Sequence, residues 1–247
     1  MPEGRTTRAW RLAVAALVAS CFVVRPAAAE DTAGCWARFF RERGIAASVG
    51  EVATFDFVGH TFHIPTAYLW RGTPRPALGD QGAIWLLALA PDLAPPTAEQ
   101  ARDFWRPSSP TVRVTVFGHP QFLRGQALLD AFVRAYGHEN RDGERDAIGF
   151  TVLRASSPTA QSWGEIHVSP KGPDNLFHCN LDGSVPHPSC TTQRWIGGPL
   201  RLEMAFRKHL IPEYLALSAA LTGFMRCALG LMGAPGQVWP PPTQGQR

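Results

Sequence analysis

The chain has 247 residues, 24 basic against 20 acidic, for a formal net charge of +4. Four arginines against one glutamate sit in residues 1–29, so about +1 remains on the rest by charge counting. A surface so close to neutral argues against a nucleic-acid footprint or a polybasic membrane patch.

The amino end reads as an export signal that is cleaved. Arg5, Arg8 and Arg11 form a basic start, Leu12 to Val24 a short apolar run, and Ala27-Ala28-Ala29 a small-residue cleavage site before Glu30. The run is shorter than the roughly twenty apolar residues of a membrane-spanning helix. Val18-Ala19-Ser20-Cys21 resembles a bacterial lipobox, which offers lipid anchoring through Cys21 as an alternative to a soluble periplasmic or secreted product. Against it, Phe22-Val23-Val24 carries the apolar run past that cysteine. The expected organisation is a signal over 1–29, one domain over 30–232, and a disordered proline-rich tail over 233–247.

Four cysteines follow the signal: Cys35, Cys179, Cys190 and Cys227. An even count in an exported chain reads as two disulfides, with three pairings to choose among. Cys179–Cys190 is favoured because the ten residues between them hold Asp182-Gly183 and two prolines, which are turn formers. Cys35–Cys227 then ties a helix near the mature amino end to one near the carboxyl end. Ala216, Ala220, Gly223 and Cys227 make a stripe of small residues at helical spacing, which lets a second helix approach.

In chain order, Cys35–Arg43 reads as a helix carrying Trp36, Phe39 and Phe40. Val52–Val58 and Thr61–Ile64 read as a hairpin around Gly59-His60. Tyr68, Trp70 and Arg71 follow in a proline-rich segment; these are the residue types that concentrate at the energetic centres of protein interfaces, so they are the expected binding residues. Ala83–Ala90 is continuously apolar and reads as a central strand covered on both faces. Thr97–Trp105 reads as a short helix. Val112, Val114 and Val116 alternate with Arg113 and Thr115 as in a half-buried strand. Leu129, Phe132, Val133 and Tyr136 mark one face of a helix that ends at Gly137.

The second half reads as strands over 150–154, 163–168, 176–181 and 200–206, then a helix opened by Pro212 with Tyr214, Leu217, Leu221, Phe224 and Ala228 on its apolar face. The expected fold is α+β, an antiparallel or mixed sheet with helices packed on one side and two disulfides. No membrane-spanning helix is expected after signal cleavage.

Catalytic candidates are sparse. Period two puts Trp163, Glu165 and His167 on one face of a strand. If Val168 opposes Asn175 across the next turn, Glu165 opposes His178, and Glu165, His167 and His178 form a carboxylate–imidazole group fit for general-base or metal chemistry. His60 and His63 point to opposite faces and do not suit a shared metal. No G-x-S-x-G elbow, P-loop, dinucleotide fingerprint or H-E-x-x-H motif is present. No cofactor or metal is expected. The reading that follows is an exported, non-catalytic protein that binds or inhibits another protein of the cell envelope, a profile shared with small exported immunity and inhibitor proteins. The alternative is an envelope hydrolase or metal-dependent enzyme working through the Glu/His/His face.

Overall fold

The computed structural model describes residues 32–69, 82–118, 122–156 and 163–231. The leader with Cys21, the residues Trp70 and Arg71, and the tail over 233–247 lie outside the described residues.

Among the described residues, nine strands and four α-helices appear in chain order. They are α1 (Thr32–Glu42), β1 (Val52–Phe57), β2 (His60–Pro65), β3 (Ala83–Leu89), α2 (Ala98–Arg102), β4 (Thr111–Gly118), α3 (Gly125–Tyr136), β5 (Thr151–Arg154), β6 (Glu165–Ser169), β7 (Gly172–Cys179), β8 (Ser189–Gly197), β9 (Leu200–Arg207) and α4 (Tyr214–Ala228). Strands β1 and β2 pair as the expected hairpin. The other seven form one sheet in the order β3-β4-β9-β8-β7-β6-β5, with every pairing antiparallel. The fold is therefore α+β and carries both expected disulfides, Cys35–Cys227 and Cys179–Cys190.

The inner face of the sheet carries the main core. Val112, Val114 and Val116 of β4 stand across from Leu202 and Met204 of β9, and the row continues through Thr192 and Cys190 to Phe177 and Cys179. Helix α4 lays Tyr214, Leu217, Leu221 and Phe224 into this layer. Tyr214 packs on Phe177 and Phe206, and its hydroxyl donates to Asn175 Oδ1 at 2.8 Å. Helix α1 adds Trp36, whose ring meets Phe39, Tyr68 and Phe224. Gly223 sits where the two helices touch: a Cβ there would stand 3.4 Å from the Phe39 ring. The small-residue stripe thus permits the approach that the Cys35–Cys227 bridge needs, with a Cα separation of 5.5 Å.

Three expectations change. Helices do not keep to one side: α3 packs on the outer face of β7, where Phe132 joins Ile166 and Leu176 in a smaller core. Strand β3 is an edge strand, not a central one, and Trp85 in its middle is 55 % exposed. Its apolar run records burial of Ile84, Leu86, Leu87 and Ala88 and carries no information about neighbours. Strand β8 does not stand out in the sequence, because Thr191, Thr192, Gln193 and Arg194 show no apolar alternation. Thr192 is nevertheless buried, donating to the Leu176 carbonyl at 2.8 Å. Among the described residues, no helix is long and apolar enough to cross a membrane.

Candidate functional site

Strand β6 delivers Glu165 and His167 to the inner face, as period two requires. The partner across from Glu165 is Cys179, and His178 stands opposite Ile166, with Val168 across from Leu176. The β6–β7 register therefore lies one residue away from the expected one, with an irregularity between Val168 and Ser169 at the turn. One residue of slip reverses a side chain's face. His178 consequently points to the outer layer, and the expected Glu165–His167–His178 group is not formed.

Glu165 and His167 instead belong to a buried knot of charge. Glu165 is 2 % exposed and receives Arg154 Nη1 on one oxygen at 2.5 Å and Lys208 Nζ on the other at 2.6 Å. Arg154 also grips Glu144 through two contacts of 2.6 and 2.8 Å. Lys208 spans onward to Asp182 at 2.9 Å. Burial pushes the Glu165 carboxyl up, but His167, Lys208 and Arg154 together outweigh it and hold the group at about 2. It is a carboxylate at every ordinary pH.

His167 is fixed from behind by Asp146, 2.8 Å from Nδ1, and Asp146 is itself fixed by the Ile148 and Phe150 amides. Its Nε2 lies 3.5 Å from Glu165 and makes no hydrogen bond. The ligand-bearing atoms of Glu165, His167 and Cys179 lie within 4.8 Å of one another. That set does not suit a metal as it stands: the Cys179 sulfur is bonded to Cys190, and two cations already hold Glu165. The side chains of Glu165, His167 and Asp146 are all 6 % exposed or less, and Asp146 and Lys208 line a cleft of about 570 Å³ together with Asp182 and His187. The knot ties β5 and β6 to the turn after β9.

His178 lies in an apolar slot, stacked on Trp163 at 3.9 Å and beside Phe132 at 5.5 Å between centroids. Neither ring nitrogen has a hydrogen-bond partner. Burial drives its imidazole down to about 3, aided by His138 and His167. It is a neutral packing residue.

The expected binding trio also changes. Tyr68 has no exposed surface; its ring packs among Trp36, Phe40 and Phe224, and its hydroxyl donates to the Leu93 carbonyl at 2.7 Å. It builds the core and offers nothing to a partner, while Trp70 and Arg71 fall outside the described residues.

The structure does open a different surface, on the outer face of the sheet between α3 and the turn Asp103–Trp105. That turn contacts β4 and is pinned by Arg207, whose guanidinium donates to the Phe104 carbonyl at 3.0 Å. Register places Trp85, Thr115, Glu203 and Gln193 in one row across β3, β4, β9 and β8. The adjoining row is Phe117, Arg201 and Trp195. Arg201 lies 4.6 Å over the Phe117 ring, and Arg124 lies 4.7 Å over the Trp195 ring. Such a ladder of alternating cations and aromatic faces is mutually attractive. It runs into a cleft of about 530 Å³ lined by Leu123, Arg124, Lys171, Arg194 and Trp195 among others. The alternation in β4 and β9 sends Arg113, Thr115, Arg201 and Glu203 outward. What the sequence leaves invisible is that the two strands are neighbours.

No protein family and no curated protein matches this chain. Two solved structures are similar to it: Smlt3025, an immunity protein of the Stenotrophomonas maltophilia type IV secretion system, and FrpD, an iron-regulated outer membrane lipoprotein of Neisseria meningitidis. The first shares 12% identity at a TM-score of 0.49 over 70% of this chain and 91% of that one. The second shares 12% identity at 0.40 over 72% and 92%. Likenesses this distant bear no functional weight.

Proposed function

We propose that the mature chain is an exported protein that recognises another protein in the cell envelope through the outer face of its sheet, without chemistry of its own. The observation that carries this reading is the Trp85–Phe117–Arg201–Trp195 strip, in which Trp85 is exposed and the other three are partly buried. An antiparallel sheet commonly keeps one wet face, but that face is then ordinarily polar. Here it presents tryptophan, phenylalanine and arginine, the types enriched where binding energy concentrates. The two buried disulfides support the export half of the reading, because such bonds persist in oxidising compartments. The Glu165–His167 knot belongs to the scaffold under this reading.

The test is capture from native envelope extract with the mature chain as bait. A partner retained by the native protein should be lost by Trp85→Ala combined with Trp195→Ala. An unchanged set of retained proteins would remove the outer face as the binding surface.

A further inference from the structure

We infer that the partner presents an acidic, carboxylate-bearing segment to this face, with Arg113 and Arg201 as the receiving groups. This inference rests on the protein-binding reading above and adds the partner's chemistry.

The argument begins with hydrogen-bond accounting. Arg154 grips two carboxylates, Arg194 donates to Ser218, and Arg207 donates to two carbonyls. Arg113 and Arg201, on the same sheet, do none of this. Neither side chain forms an ion pair or hydrogen bond with any described residue, and each leaves a buried Nε–H unsatisfied. Buried donors are nearly always paired, so two orphans on one face, four residues apart along β4 and β9 and on side chains that are only partly buried, ask for an acceptor from outside. Arginine offers a planar fork that matches a carboxylate with two parallel bonds.

Charge points the same way. Arg113 lies opposite Ala205, and Arg201 lies two residues from Glu203, with Phe117 and Trp195 flanking it in register. Beyond Trp195 the cleft adds Arg124, Lys171 and Arg194 against a single acid among the described residues, Asp174. The row from Trp85 to Gln193 crosses four strands, about 14 Å at ordinary strand spacing. That strip suits one extended acidic segment seated among aromatic rings. Its density of positive charge is far below that of duplex DNA phosphates, which recur about every 1.7 Å. Glu203 in the centre limits the number of carboxylates the strip can take, which favours a short acidic stretch over a long anionic polymer.

The probes are fluorescein-labelled hexaglutamate, hexaglutamine and hexalysine peptides, titrated with the mature chain and read by anisotropy at low and moderate salt. Hexaglutamate should bind most tightly and weaken as salt rises. Arg113→Ala with Arg201→Ala should weaken it about tenfold, whereas Arg113→Lys with Arg201→Lys should keep most of the binding, which separates lost charge from lost fold. Arg38→Ala with Arg41→Ala, on α1, should change nothing. Equal affinity in the double-alanine chain would overturn the inference. So would tighter binding of hexathymidylate or of phosphatidylglycerol vesicles. In the envelope capture, a partner lost by the tryptophan variant but kept by the arginine variant refutes the acidic partner alone. A partner kept by both refutes the face itself.

Discussion

The two disulfides close very different loops, and that difference can be measured. Cys35 and Cys227 are 192 residues apart, Cys179 and Cys190 only 11. All four cysteines are buried, so replacing either pair with alanine removes the same atoms from similar surroundings. What differs is the freedom regained by the unfolded chain. Loop-closure entropy gives about 5 kcal/mol for the long loop and about 3 kcal/mol for the short one. With a urea slope near 3 kcal/mol per molar, the midpoint should fall by about 1.7 M for Cys35→Ala/Cys227→Ala and about 1 M for Cys179→Ala/Cys190→Ala. Urea unfolding followed by tryptophan fluorescence reads both. If the short-loop variant loses as much stability as the long-loop variant, or more, chain entropy is not what these bonds contribute.

Other expectations concern the buried groups. Glu165 sits at about 2 when folded against an ordinary 4.5, so its stabilisation is complete above the ordinary value and is lost as pH falls toward 2. Glu165→Gln should cost about 3 kcal/mol at pH 7 and progressively less in acid, as acid titrations of both chains would show. His178 has the same sign by a different route: held at about 3 against 6.5, it refuses a proton that the unfolded chain accepts. Stability therefore drops between those values, and His178→Phe should be the more stable chain by about 2 kcal/mol at pH 5, with the gap closing by pH 8 in thermal melts. Gly164 faces the Leu181 side chain so closely that a Cβ would collide with it. Gly164→Ala should cost about 1–3 kcal/mol, and adding Leu181→Ala should recover part of that loss in urea unfolding.

Much of the fold could be read before any coordinates. Strand β9 declares itself by Leu200, Leu202, Met204 and Phe206 on one side and Arg201 and Glu203 on the other, and the cysteine pairing follows from count, compartment and the small residues of α4. The site was harder. The relation of Glu165 to His178 hangs on one residue of register, and a local irregularity after Val168 shifts it. Nothing in the composition of the two-residue turn between Ser169 and Gly172 announces such a shift. Strand β8 hid because its buried face carries Thr192 and Arg194, whose polar atoms are satisfied by partners distant in sequence, Leu176 and Tyr214 for the first and Ser218 and Asn175 for the second. Tyr68 shows the limit of reading residue type: the same ring serves an interface or a core, and only the company of Trp36 and Phe224 decides.

The bond between α1 and α4 makes residues 35 to 227 a covalent ring, with every strand inside it. A pull applied to the two ends of the oxidised chain is carried by that one bond and never reaches the sheet. About 650 Å of contour length is thereby withheld from extension. A machine that unravels proteins from an end would have to thread the ring double or reduce it first.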